Sequence, residues 1–231
     1  MSEVPAAVPD PPPDVVVISN VVITCSFNTT IDQNELAWRM NGEYSPANFA
    51  AVQLRLPAPQ TTSLFFSTGK LVVTGARSES AALSAVQILY HMIRQLHPEA
   101  RITDLSIQNI VASSSFPGSV DVEAMAKKLV VSSLYTPELF PGLRLKLTEP
   151  KMKALVFLKG RVVLTGGRTR EDIRKAWSIV RRRVAPFIVA DGDAFTHAAV
   201  TANRQALRKM RIAEDEIYSN AICPINNALE A

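Results

Sequence analysis

The chain repeats itself, and the repeat limits what it can fold into. Ser19-Asn20-Val21-Val22-Ile23-Thr24-Cys25-Ser26-Phe27 is echoed by Gln108-Asn109-Ile110-Val111-Ala112-Ser113-Ser114-Ser115-Phe116, and residues 48–79 are echoed by residues 139–170. Phe49 falls opposite Phe140, Phe66 opposite Phe157, Gly69 opposite Gly160 and Thr74 opposite Thr165, each at an offset of 91 positions. Two copies describe a duplicated unit closing on itself, since an open solenoid needs at least about three repeats to bury its core. A pseudo-twofold molecule suits a pseudo-twofold target.

At 231 residues and 47% hydrophobic content the chain can bury a sizeable core, and one duplicated domain is the expected count. Cys25 and Cys223 are the only cysteines, too few for a disulfide framework or a cysteine-based zinc site, and they suit a reducing compartment. Residues 1–14 are acidic and proline-rich without an apolar signal-like stretch, and no run approaches the roughly 18 apolar residues of a membrane span. A soluble intracellular protein with no membrane partner is expected. Charge is uneven: residues 1–100 carry a net −3, residues 101–187 a net +9 and residues 188–231 a net −2. The second repeat therefore projects a positive field toward polyanions or acidic partners.

The pattern divides the chain into an arm (1–14), two repeats (15–100 and 101–188) and an extension (189–231). The β-branched residues of 15–26 predict a strand, and 31–40 a short helix with Thr30 or Asp32 as N-cap. Residues 50–56, 62–67 and 70–75, separated by Pro and Gly punctuation, predict an antiparallel meander, and 78–96 a long helix capped by Ser78. The second copy repeats the order: strand 107–113, helix 120–131, strands 143–147, 154–159 and 161–166, helix 169–183. Helices that arise from crossovers and ends can cover one face of a sheet and leave the other free. In the extension, apolar residues from Phe195 to Ile217 step by three and four, predicting a weakly apolar helix over 194–218.

Period-two alternation assigns the faces. Asn20, Val22 and Thr24 share one side, while Val21, Ile23 and Cys25 face the core. The open side also takes Leu64 with Phe66, and Lys70 with Val72 and Thr74; its second-copy equivalents are Asn109, Val111, Ser113, Leu155, Phe157, Arg161, Val163 and Thr165. Amides, hydroxyls, small apolar groups, paired Phe residues and a cation suit the floor of a DNA minor groove, where A·T pairs offer only acceptors and guanine adds an amino group. Phe49 with Phe66, and Phe140 with Phe157, are placed to form apolar wedges that unstack a base step.

These residues carry a resemblance. The runs 49–52, 61–79, 107–111 and 137–143 are similar to the core domain of the TATA-box-binding protein family, and the similarity extends from about residue 16 to 187. The family is itself a type case of minor-groove wedge insertion. The resemblance implies an α+β saddle: a ten-stranded antiparallel curved sheet with four helices on its convex face, here followed by a C-terminal helical extension. It implies DNA contacts from Asn20, Val22, Thr24, Asn109, Val111 and Ser113 near the centre, and wedges of Phe49 and Phe66 and of Phe140 and Phe157, with Ala50 and Pro141 beside them. Leu64, Val72, Thr74, Leu155, Val163 and Thr165 would line the groove, and Arg55, Lys70, Arg77, Lys146, Arg161 and Arg168 would reach phosphates. Glu138 and Leu139 fall where the family's second stirrup meets transcription factor IIB.

Two departures stand beside the resemblance. Ala47-Asn48 replaces two basic residues that family members carry before the first-repeat Phe, and in 78–96 only Arg94 is basic where the family uses several cations for transcription factor IIA and other regulators. The second-repeat helix is rich in Arg and Lys instead.

The implied role is a general transcription initiation factor of the nucleus. It would bind and bend TATA-like promoter DNA and nucleate an assembly that includes a transcription factor IIB-like protein and, further, transcription factor IIA-like and polymerase-associated factors. The alternative is a related adaptor with weak DNA binding that acts through protein contacts. No cofactor and no catalysis are expected, because no His or acid occupies a repeat-matched place on the open face. An apolar open face also favours self-association without DNA.

Overall fold

The computed structural model describes residues 16–189; the predicted arm and the predicted C-terminal helix lie outside them. Ten strands form one antiparallel sheet. The first repeat supplies β1 (Val17–Ser26), α1 (Gln33–Met40), β2 (Glu43–Ser45), β3 (Phe49–Pro57), β4 (Gln60–Phe66), β5 (Lys70–Ala76) and α2 (Glu79–Leu96). The second supplies β6 (Thr103–Ser115), β7 (Ser119–Val120), α3 (Val122–Lys128), β8 (Ser133–Thr136), β9 (Phe140–Lys146), β10 (Lys153–Val156), β11 (Arg161–Gly167) and α4 (Arg170–Val184), followed by a 3-10 turn and β12 (Ile188–Val189), which pairs with β7 outside the main sheet.

The sheet order β2-β3-β4-β5-β1-β6-β11-β10-β9-β8 reads the same from either end once repeat mates are exchanged. Its centre is the β1–β6 pair, where Asn20 lies opposite Val111, Val21 opposite Ile110 and Val22 opposite Asn109. The pseudo-dyad therefore passes by Val21 and Ile110, and it turns each asparagine into the other. The β3–β4 and β9–β10 turns hold matched cis prolines, Pro59 and Pro150.

All four helices cover one face. Leu36 of α1, Ala82, Ala85, Val86, Leu89 and Ile93 of α2, Val122 and Met125 of α3, and Ile173, Ala176, Trp177, Val180 and Val184 of α4 enter one continuous core with Val21, Ile23, Cys25, Phe65, Leu71 and Val73 of the sheet. Burial pushes the Cys25 thiol up to about 12, which leaves it protonated and inert near neutrality. The helix starts follow local chemistry. Asp32 Oδ1 accepts from the Asn34 and Glu35 amides, Ser78 Oγ accepts from the Ala81 amide, and Thr169 and Asp172 form a reciprocal capping box. Asp32, not Thr30, is the cap of α1.

Several expected bounds shift. Helix α3 stops at Lys128 rather than 131, with the Leu129 amide closing onto the Met125 carbonyl and Val130 and Val131 left exposed. Strand β10 ends at Val156 because the chain turns at Phe157–Gly160. Strands β2 and β8 are additions that pair only along the sheet edges.

One ion pair ties the halves across the dyad. Arg170 Nε and Nη2 donate to Glu79 Oε1 and Oε2 at 2.8 and 2.7 Å, joining the first residues of α4 and α2. The hydrogen bond from Arg170 holds the Glu79 carboxyl below its ordinary value of 4.5. A carboxyl whose folded-state pKa is depressed contributes stability above the ordinary value and loses it as pH falls through the depressed one. Glu79→Gln is therefore expected to lower the thermal midpoint at pH 7 by a small margin, since Arg170 is solvent-screened, and the gap to the parent is expected to close as pH falls from 4.5 through the depressed value. A gap independent of pH would contradict this role for the pair.

Candidate nucleic-acid interface

The face that the helices leave uncovered carries two apolar clusters, each separate from the main core. Val22, Ala51, Leu64, Phe66 and Val72 form one, with Phe49 packed against it. Val111, Phe140, Leu155, Phe157 and Val163 form the other. Alternation explains them: Leu64 lies opposite Val72 across β4–β5, and Leu155 opposite Val163 across β10–β11, so their side chains project together.

Each cluster contains a Phe pair brought together from two strands. Phe49 opens β3 and Phe66 ends β4, with ring centroids 6.2 Å apart and planes at 69°. Phe140 opens β9 and Phe157 follows β10, at 5.8 Å and 59°. Such tilted pairs are favourable aromatic contacts beyond their area burial. The first pair is anchored by a residue that sequence reasoning passed over. Gln33 is buried, and its Nε2 donates to the carbonyls of Ala50 and Phe65 at 2.8 and 3.1 Å, fixing the backbone beside both rings.

The structure places Ala50 and Pro141 beside the rings, Ala50 exposed and Pro141 half-buried. Ala50 and Pro141 share the helix-side parity of Val52 and Leu54, and of Leu143 and Leu145, so they border the wedges from the strand's other side. The residues beneath the rings are Ala51 and Gly142, one position on. A Cβ on Gly142 would lie 2.7 Å from Phe140 Cε1 and 2.9 Å from Phe157 Cε1, so the second pair settles into space that a side chain would fill. Neither Ala51 nor Gly142 stands out by residue type.

The asparagines sit at matched bulges near the dyad. Asn20 Oδ1 accepts from the Gly75 amide at 2.7 Å and Asn109 Oδ1 from the Gly166 amide at 2.8 Å. Both glycines have positive φ, +94° and +100°, and leave the β5 and β11 ladders there. Because each amide oxygen is taken by a backbone N–H, each Nδ2 is turned toward the hydroxyl of Thr74 or Thr165, at 3.2 and 3.4 Å, as the remaining donor. Asn20 is buried and Asn109 half-buried. Thr24 and Ser113 are half-buried on the same face, and Gln108, at the β6 bulge, donates to Thr24 Oγ1 at 2.8 Å.

Exposed cations surround the clusters. Arg55 and Lys146 alternate outward from β3 and β9, Lys70 and Arg161 begin β5 and β11, and Arg77 and Arg168 follow those strands. Arg144 was not singled out by sequence. It shares the open-face parity of Phe140 and Lys146, and its guanidinium lies 4.9 Å over the Phe140 ring. At the β8–β9 turn Glu138 is exposed and Leu139 is 80% exposed, too much for a packing role. Among the described residues no His, Cys, Asp and Glu group is arranged to hold a metal ion, and no helix is long and apolar enough to cross a membrane.

Comparison with known proteins agrees with this geometry. The family model described as "Transcription factor TFIID (or TATA-binding protein, TBP)" matches residues 15–96 and 104–187, one segment per repeat. The TATA-box-binding protein of Dictyostelium discoideum is 40% identical over 161 residues, covering 69% of this chain and 78% of that protein. That of Saccharomyces cerevisiae is 38% identical over 164 residues, covering 71% and 68%. The Emericella nidulans TATA-box-binding protein is 39% identical over 164 residues, 71% of this chain but 61% of the relative, so the chain spans less than two thirds of that protein's length. Among solved structures, Methanococcus jannaschii TBP superposes with a TM-score of 0.66 at 30% identity, covering 74% of this chain and 99% of that one. Matched across both repeats in sequence and in fold, the chain belongs to the TATA-box-binding protein family.

Proposed function

We propose that this protein binds A·T-rich promoter DNA through the minor groove, bends it with its two Phe pairs, and nucleates assembly of a transcription initiation complex in the nucleus. The observation that carries the reading is the dyad-related placement of Phe49 with Phe66 and Phe140 with Phe157 on a sheet face free of helices, flanking Asn20 and Asn109. The amide Nδ2 groups and the threonine hydroxyls supply donors for adenine N3 and thymine O2, and the apolar floor of Val22, Val72, Val111 and Val163 offers nothing to a guanine amino group. The cations at the rim neutralise phosphates, which adds affinity without sequence preference. The protein acts by binding and not by catalysis, since the groups gathered on this face are amides, hydroxyls, apolar side chains and cations. Exposed Leu139 with Glu138 supplies the contact for a transcription factor IIB-like protein. A transcription factor IIA-like partner would meet an α2 whose one basic residue is Arg94.

The test is fluorescence anisotropy and end-to-end energy transfer on a TATA duplex and a G·C-rich control at one salt concentration. Binding to the TATA duplex is expected to be about a thousandfold tighter, the low end of specific over non-specific recognition, with a large bend. Equal affinity for both duplexes would sink the reading.

A further inference from the structure

The two outer edges of the sheet differ in a way that the fold does not require. Helix α1 reaches β2 through Asn41 and Gly42, whereas α3 reaches β8 through residues 129–132, four residues in place of two. The added length carries Val130, 71% exposed, and Val131, fully exposed, and β8 then presents the exposed Leu134. At the repeat offset of 91 positions Leu134 falls opposite Glu43, and Leu139 opposite Asn48. A backbone that accepts Glu43 and Asn48 in one half has no packing need for leucine in the other. Apolar side chains gathered on a surface mark a place that something covers. Leu139 serves the proposed contact with a transcription factor IIB-like protein, which leaves Val130 and Val131, bordered by Leu134, without an occupant.

The chain itself passes close by. The described residues end at Val189, and that end is held against α3: β12 pairs with β7, the Asp121 amide at the α3 N-cap donates to the Phe187 carbonyl at 2.9 Å, and Lys128 Nζ lies 5.8 Å over the Phe187 ring. Lys128 stands two positions before Val130. Beyond Val189 the sequence continues Ala190-Asp191-Gly192-Asp193-Ala194-Phe195. Six extended residues reach about 20 Å, enough to carry two acids past the exposed Lys127 and Lys128 and a phenylalanine to the two valines. From Phe195 the apolar residues step by three and four as far as Ile217, so a single apolar stripe follows the acids. A tethered segment meets its site at an effective concentration in the millimolar range, so a patch far smaller than a free partner needs can hold it. We propose that the C-terminal extension docks on the α3–β8 edge of its own chain, with Asp191 and Asp193 beside Lys127 and Lys128 and with Phe195 on Val130 and Val131.

The experiment is photocross-linking of the full chain with p-benzoylphenylalanine in place of Val131, and with the same probe in place of Glu43 on the opposite edge as a control. Each protein is an equal mixture of unlabelled and isotopically labelled chains, so that capture within a chain and between chains differ in mass. Position 131 is expected to capture residues of 190–218 from its own chain about tenfold more than position 43 does, and equally on dilution. Capture between chains, which would make a second copy the occupant, overturns the inference. So does equal capture from both positions, or none of 190–218. A second measurement uses substitutions in an exposed turn that leave the core intact. Val130→Ser with Val131→Ser should speed amide hydrogen exchange across residues 195–217 by about tenfold. Exchange that is already unprotected in the parent, or that is unchanged in the double variant, also overturns the docking.

Discussion

Replacing Phe140 and Phe157 together with alanine is expected to leave a folded protein that binds a TATA duplex about a hundredfold more weakly, equivalent to about 3 kcal/mol, and bends it about half as much. The expectation follows from where the rings sit. Val111, Phe140, Leu155, Phe157 and Val163 form a cluster on the open face that is distinct from the continuous core beneath the helices. Truncation there removes buried aromatic area, and a loss of a few kcal/mol in stability is expected, but it does not open the core that α2 and α4 seal. Under the proposed function each wedge serves one base step, so removing one should abolish one kink and leave the other. The first-repeat pair tests this independently: Phe49→Ala with Phe66→Ala should remove the opposite kink, and all four together should leave binding that is salt-sensitive and unbent. Circular dichroism and thermal melting verify the fold, and energy transfer reads the bend. A full bend in the Phe140, Phe157 double variant would show that the rings are packing groups alone.

Much of this arrangement was legible in the sequence because it rests on short-range rules. Alternation in β1, β4, β5, β10 and β11 separates core from open face by side-chain parity, and Ser78 marks the start of α2 by its own hydrogen-bonding chemistry, whereas Asp32 is singled out from Thr30, and Thr169 found as a cap, only by the structure. What escaped depends on contacts distant in sequence. Strands β2 and β8 have three and four residues, too few to show a period, and exist by pairing with β3 and β9. Strand β6 begins at Thr103 with a polar stretch that reads as loop and is held by β1. The residues beneath the rings, Ala51 and Gly142, carry no signal by residue type and are found only through the pairing that brings Phe66 to Phe49 and Phe157 to Phe140. Arg144 was missed for a different reason. A search for residues that agree between repeats discards a site where they differ, and Gln53 and Arg144 differ.

That difference bears on how a duplicated fold acquires direction. Backbone symmetry is kept where the sheet needs it, at the Val21–Ile110 centre and the bulge asparagines, while side chains that do not hold the fold are free to diverge. Glu79 and Arg170 occupy equivalent helix positions with opposite charges and bind each other, so divergence also joins the halves.

The largest effect on folding is expected at a glycine that holds the second wedge. Gly160 and Gly166 have similar left-handed backbone, with φ of +76° and +100°, so alanine at either incurs the same kind of conformational cost, about 1–2 kcal/mol. Their surroundings differ. A Cβ on Gly166 would meet Lys151 O and Met152 Cα at 3.5 Å, ordinary contact, whereas one on Gly160 would stand 2.5 Å from Gly118 O and 2.8 Å from Phe116 O. Those oxygens belong to a segment that Gly160 itself secures, since its carbonyl accepts from the Phe116 amide at 2.9 Å. They cannot withdraw without breaking that bond, and the turn in which the Gly160 amide donates to the Phe157 carbonyl would shift with them. Gly160→Ala is therefore expected to cost at least about 2 kcal/mol more than Gly166→Ala in urea denaturation, and to weaken DNA bending at the Phe157 end even where folding is restored by low temperature. Equal losses for the two variants would mean that backbone conformation alone sets the cost and that the Phe116–Gly118 segment yields freely.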